Sequence, residues 1–132
     1  MKMNTVSPVR TVERLIESLN QADIETAVSL YEDDAVFFPE PGTEVKGREA
    51  IREALAELVA LSPHLSAIRF LMTQTETTAL YCSHWKMRVT TPDGSVIILD
   101  GSSSDVLRMQ SDGRWLIAID NPFGTEIIEA GR

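Results

Sequence analysis

Asp105 and Asp120 bracket a hairpin signal toward the C-terminal end of the sequence. Ser111-Asp112-Gly113 separates two β-rich runs, Gly101 to Met109 and Arg114 to Asn121, and a turn of that composition between such runs predicts a β-hairpin. Pairing Met109 with Arg114 sets Asp105 opposite Ala118 and Ser103 opposite Asp120. Side chains alternate with period two, so both aspartates then share one face, a diagonal step apart. On an apolar sheet, burial and a like charge nearby each raise a carboxyl pKa. One carboxyl can then stay neutral and donate while the other stays ionised and accepts, which equips a site for acid/base chemistry. The alternative is structural, with Asp120 capping the strand end at Asn121-Pro122 and Asp105 bonding backbone or a nearby serine.

The elements that must hold this pair follow from periodicity. Ser7-Pro8 reads as a cap with proline at the first helical position, and Val9, Val12, Leu15, Ile16 and Leu19 repeat at helical spacing to about Gln21. Asp23 is placed to cap a second, short helix carrying Ile24, Ala27, Val28 and Tyr31. Ala35 to Phe38 predicts a short strand, which Pro39, Pro41 and Gly42 end in a loop. A third helix runs from near Gly47 through Ile51, Leu55, Leu58 and Val59 and stops at Ser62-Pro63. Beyond Leu65 the chain predicts strands over 67–75, 79–89 and 95–109, with Thr91-Pro92-Asp93-Gly94 as a turn and the hairpin supplying the last strand. Helices first and strands later predict one α+β domain over 1–132, about three N-terminal helices covering a curved, mainly antiparallel sheet.

Parity sorts the faces. On the strand 79–89 the odd positions, with Tyr81, Ser83, Trp85 and Met87, hold the larger aromatics and no formal charge, so they point inward. On the last strand Asp120 sides with Leu116 and Ala118. Trp115, Ile117 and Ile119 take the opposite face with Val106, and an apolar row there predicts a homodimer through the outer sheet face.

Other chemistry-bearing residues carry less. His64 and His84 are far apart with no His-x-His spacing, and Cys82 is the only cysteine, so no metal site and no intrachain disulfide are expected. Ser102, Ser103 and Ser104 lack a nucleophile-elbow pattern. Glu40 sits between two prolines in a loop that predicts a solvated side chain, with a displaced base as the other reading. Arg48, Glu49, Arg52, Glu53 and Glu57 make a solvated helix face. A formal net charge of −8 argues against nucleic acid or an anionic membrane as partner. With no apolar leader pattern and no stretch long enough to span a bilayer, a cytoplasmic protein is expected.

From about Val9 to Gly124 the layout resembles the SnoaL-like and ketosteroid-isomerase-like branch of the nuclear-transport-factor-2-like superfamily. Ser18-Leu19-Asn20-Gln21-Ala22-Asp23 with Ala27 to Ala35 looks like its opening helices, and Gly47-Arg48-Glu49-Ala50-Ile51-Arg52 like its third. Asp105-Val106-Leu107-Arg108, Asp112-Gly113-Arg114-Trp115 and Asp120 to Gly124 resemble a subgroup of that branch. The resemblance implies a cone-shaped α+β fold and a cavity for a small apolar molecule, with no cofactor. It implies for Asp105 the role of the neutral acid of the isomerases, and for Tyr31 a supporting hydrogen-bond role. Leu15 stands where those enzymes carry a catalytic tyrosine, Pro39 where they carry the base, and Asp120 where they carry a small apolar residue. The aspartate–arginine–aspartate pattern of the epoxide hydrolases is broken by Ser103, whereas the polyketide cyclases resemble this chain in using a pocket carboxylate. In such a cone Asp105 and Asp120 are the expected catalytic pair. The expected ligand contacts are Leu15, Leu19, Tyr31, Phe37, Leu55, Leu58, Tyr81, Ser83, Trp85, Ser103 and Ala118. The reaction type is isomerase- or cyclase-like, with a non-catalytic ligand-binding or assembly module as the alternative.

Overall fold

The computed structural model describes residues 7–130. In chain order its elements are α1 (Pro8–Asn20), α2 (Ile24–Ser29), β1 (Tyr31–Glu40), β2 (Thr43–Lys46), α3 (Arg48–Val59), β3 (His64–Gln74), β4 (Thr78–Thr90), β5 (Val96–Met109), β6 (Trp115–Asp120) and α4 (Glu126–Ala130). Proline at the first helical position starts α1, and Val12, Leu15 and Leu19 line its buried side. Thr11 Oγ1 donates to the Trp115 carbonyl at 2.7 Å, which seats α1 on β6. At its far end Asn20 clamps one residue of β3 from both sides. Its Nδ2 donates to the Leu65 carbonyl at 3.0 Å and its Oδ1 accepts the Leu65 N–H at 2.8 Å. Asp23 caps α2 as expected, accepting the Thr26 N–H at 3.2 Å.

The six strands form one mixed sheet in the order β2-β1-β6-β5-β4-β3, in which β1 and β6 run parallel and the other neighbours antiparallel. The core lies between the helices and one sheet face, where Ile51 and Leu55 of α3 join Val12, Leu15 and Leu19 against Tyr31, Phe37, Tyr81 and Leu107. On β4 the odd positions Ala79, Tyr81, Ser83 and Val89 are buried and the even ones turn outward, as parity predicts. This is the α+β arrangement expected, with three helices before the long strands and a short fourth after them.

Three expectations are corrected. The strand expected over Ala35 to Phe38 runs from Tyr31 to Glu40, and the Pro41-Gly42 turn returns it as β2, an extra strand at the sheet edge. Pro39 is tolerated because it sits at the end of β1, near that edge. Secondly, the terminal hairpin is slipped by one: Met109 pairs with Trp115, not Arg114. Thirdly, Leu107 faces Ile117 while Val106 faces Ile119, so Ala118 is an extra residue, a β-bulge. The bulge switches parity inside β6. Trp115 and Ile117, expected on the outer face, belong to the core, and only Ile119 of that trio is exposed.

Candidate active site

The same bulge delivers Asp120. Without it, Asp120 would lie opposite in parity to Trp115 and Ile117; with one residue inserted, it points to the same inner side. There it meets Tyr31, the first residue of β1, whose hydroxyl donates to Asp120 Oδ2 at 2.5 Å. Tyr31 is wholly buried, and its backbone is held from α3: Arg48 Nε and Nη2 donate to its carbonyl at 2.9 and 2.6 Å. An ionic contact, Arg48 Nη1 to Asp33 at 2.9 Å, also holds that guanidinium.

Asp105, on β5, is tied to the residue that follows Asp120. Its Oδ1 accepts the Asn121 N–H at 2.7 Å, and the Asn121 carbonyl accepts the Ser104 N–H at 2.8 Å. Asn121 in turn shapes the loop after β6. Its Nδ2 donates to the Gly124 carbonyl at 3.0 Å, and its Oδ1 accepts the Phe123 N–H at 3.1 Å. The backbone bond weighed for Asp105 is therefore present. Asp120 does not cap that turn; its partners are the Tyr31 hydroxyl and the Asp105 carboxyl.

Electrostatics separate the two carboxyls. Burial, then the charge of Asp120, pushes Asp105 well above the usual carboxylate range, against the pull of the Asn121 N–H and the Ser103 hydroxyl. Burial also raises Asp120, but the Tyr31 hydroxyl and Asp105 both favour its charged form. Burial first, and the charge of Asp120 second, hold Tyr31 well above the ordinary phenol value, so it remains a donor. The state these directions favour is one proton on Asp105, an ionised Asp120, and a neutral Tyr31 donating to it. A second polar pair adjoins this one: the Ser83 and Ser103 hydroxyls lie 2.7 Å apart on β4 and β5.

All of these groups open on one cavity of about 150 Å³. Of the expected contacts, Leu15, Leu19, Tyr31, Phe37, Leu55, Leu58, Tyr81, Ser83, Trp85 and Ser103 line it with both aspartates. Ala118 does not; as the bulge residue it lies outside the lining, and that expectation is corrected. Phe123, Pro122, Pro39 and Met87 also line the cavity, although none was among the expected ligand contacts. Met87 lies on the inward parity of β4, so the same alternation that picked out Trp85 identifies it. Glu40 is exposed and outside the lining, as the solvated reading of its side chain expects. His64 and His84 are exposed as well. Among the described residues no cluster of three or more His, Cys, Asp or Glu is placed to hold a metal ion, and no helix is long and apolar enough to cross a membrane.

Comparison with known proteins bears on the fold and the family. No curated protein matches the chain. Among solved structures, a function-unknown protein from Mycobacterium tuberculosis is similar at 26% identity and TM-score 0.73, over 85% of this chain and 70% of that one. A conserved protein from Planctomyces limnophilus aligns at 25% identity and TM-score 0.77, over 85% and 88%. A nuclear transport factor 2-like superfamily protein from Salmonella enterica shares the fold at 17% identity and TM-score 0.77, over 85% and 84%. The family model for the SnoaL-like domain matches residues 12–117, so the chain belongs to the SnoaL-like domain family.

Proposed function

We propose that this protein binds a small, mostly apolar carbonyl compound in the cavity and performs cofactor-free acid/base chemistry on it, of isomerase or cyclase type. One observation carries the reading: two carboxyls and a tyrosine hydroxyl meet in a cavity whose other walls are mainly apolar. Protonated Asp105 would bond the substrate carbonyl oxygen while ionised Asp120 takes a proton from the adjacent carbon. Negative charge would pass to the carbonyl oxygen, where a proton donor stabilises the enolate. Return of the proton from Asp120 to another carbon gives an isomer; attack of the enolate carbon on a second carbonyl of the same molecule breaks that C=O π bond and gives a ring alkoxide, which takes the proton from Asp120. Tyr31 favours the charged form of Asp120 and so keeps the two carboxyls in different roles.

A non-catalytic binding module is the second reading, favoured by one observation: Tyr31 and the Asn121 N–H already occupy an oxygen on each carboxyl. The two readings part in deuterated water. Proton NMR of cyclohexanone incubated with the protein should show loss of α-proton signal, abolished in Asp120→Asn. Binding without exchange would support the second reading and defeat the first. We place the protein in the cytoplasm as a homodimer. With Trp115 and Ile117 in the core, the row that would meet a partner is Ile119, Val106 and Leu80, neighbours across β6, β5 and β4. Leu80 and Ile119 are 43% and 40% exposed.

A further inference from the structure

Size, charge and one rigid wall restrict what the cavity admits. Its volume of about 150 Å³ is that of an apolar protein cavity able to hold a benzene-sized molecule. The wall nearest the loop after β6 is the Trp85 indole, which lies against the backbone of Gly101, its partner across β4 and β5. A Cβ on Gly101 would come within 2.7 Å of Trp85 Cζ2 and 2.9 Å of Cε2, so only glycine leaves the ring this seat. Trp85 Nε1 donates to the Pro122 carbonyl at 2.7 Å. The Phe123 ring stands edge-on to the indole, centroids 6.3 Å apart at 74°. Seat, hydrogen bond and edge contact fix the indole in one orientation. The loop that supplies Pro122 and Phe123 is itself pinned by Asn121, so this wall does not yield easily.

Charge narrows the choice further. Among the described residues the lining contains no Lys, Arg or His, and the carboxyl pair retains a negative charge when it holds one proton. An anionic ligand would lose its hydration, meet a like charge and find no cation. Polar atoms concentrate at the carboxyl pair, Tyr31 and the Ser83–Ser103 hydroxyls, while Leu15, Leu19, Leu55 and Leu58 face them with hydrocarbon.

We infer that the site selects neutral compounds the size of a single six-membered ring carrying a carbonyl or hydroxyl oxygen, and that Trp85, seated on Gly101, sets that limit. This rests on the cavity being the ligand site of the proposed function, but not on catalysis there. Calorimetric titration with phenol, benzoate and 2-naphthol at pH 7 tests it. Wild type should bind phenol at least about tenfold more tightly than either of the others, a gap of about 1.4 kcal/mol. Trp85→Ala, and independently Phe123→Ala should Trp85→Ala fail to melt cooperatively, should reverse the preference between phenol and 2-naphthol. Gly101→Ala, which displaces the indole, should weaken phenol. Wild type binding 2-naphthol or benzoate as tightly as phenol, or binding none of the three, would overturn the inference. So would a preference that neither wall variant changes. Selective binding of phenol without proton exchange on cyclohexanone would defeat the catalytic reading and leave this one standing.

Discussion

Replacing Asp105 by asparagine isolates what it costs this fold to house two carboxyls side by side. An unfolded aspartate ionises near 3.8, whereas burial and the Asp120 charge hold Asp105 well above that in the folded protein. Between those two values the folded state keeps a proton that the unfolded chain has released. Stability therefore falls as pH rises, by about 1.4 kcal/mol per pH unit, until the folded pKa is passed. Asparagine titrates in neither state. Its amide oxygen can still accept the Asn121 N–H and its amide nitrogen can donate to Asp120, as the protonated acid does. Asp105→Asn should thus match wild type near pH 4 and become the more stable of the two as pH rises. About three pH units separate 3.8 from neutrality, which caps the gain at pH 7 near 4 kcal/mol. For a domain of this size that corresponds to a melting shift on the order of 10 °C. Urea melts of both proteins at unit intervals from pH 4 to pH 8 measure it. Parallel profiles, or a variant less stable than wild type at pH 7, would refute the reasoning.

Other outcomes follow from the same structure. Tyr31→Phe removes a hydrogen bond to a charged group, a loss of about 1.5–3 kcal/mol; it also raises the Asp120 pKa further, so melts should show a larger deficit at pH 8 than at pH 5. Ile119→Lys should convert a particle of twice 14.6 kDa into a monomer or an aggregate by light scattering; a wild type that is already monomeric at micromolar concentration contradicts the proposed dimer. Turnover of 3-oxo-Δ5-steroids should be slight. Leu15 and Pro39 line the cavity, and the resemblance to the isomerases matches them to a donor and a base that neither side chain can replace; one missing oxyanion donor alone typically costs about a hundredfold or more. Robust turnover by the purified protein would overturn that expectation.

Local rules carried the sequence reading far. Helical spacing of Val12, Leu15 and Leu19 located α1, Asp23 located the start of α2, and alternation along β4 assigned Tyr81, Ser83 and Trp85 to the inside. Alternation failed on β6 because one inserted residue reverses it, and Ala118 carries no glycine or proline to mark a bulge. Asp105 and Asp120 still came out as neighbours, by a compensation: the hairpin slips one residue and the bulge adds another. The error landed on Trp115 and Ile117, which moved from an expected interface into the core. The Tyr31–Asp120 bond was hidden for a different reason. It joins residues 89 positions apart through the parallel pairing of β1 with β6, and no local pattern reports such a contact. The loop of Pro122 and Phe123 reads as a turn in sequence, and its ties to Asp105 through Asn121 and to Trp85 through the Pro122 carbonyl bring it against the cavity.

The central claim is that Asp105 and Asp120 share one proton over a pH range above the ordinary aspartate value, and carboxyl titration by carbon-13 NMR tests it most directly. With aspartate labelled at the side-chain carboxyl, wild type and both single asparagine variants would be followed from pH 3 to pH 9. The pair should titrate in two separated steps, one of them far above the ordinary aspartate value. In Asp105→Asn the remaining carboxyl should ionise more readily than the upper step of wild type. Two ordinary aspartate titrations in wild type, with neither shifted by substituting the other, would contradict the claim and leave both carboxyls as structural groups.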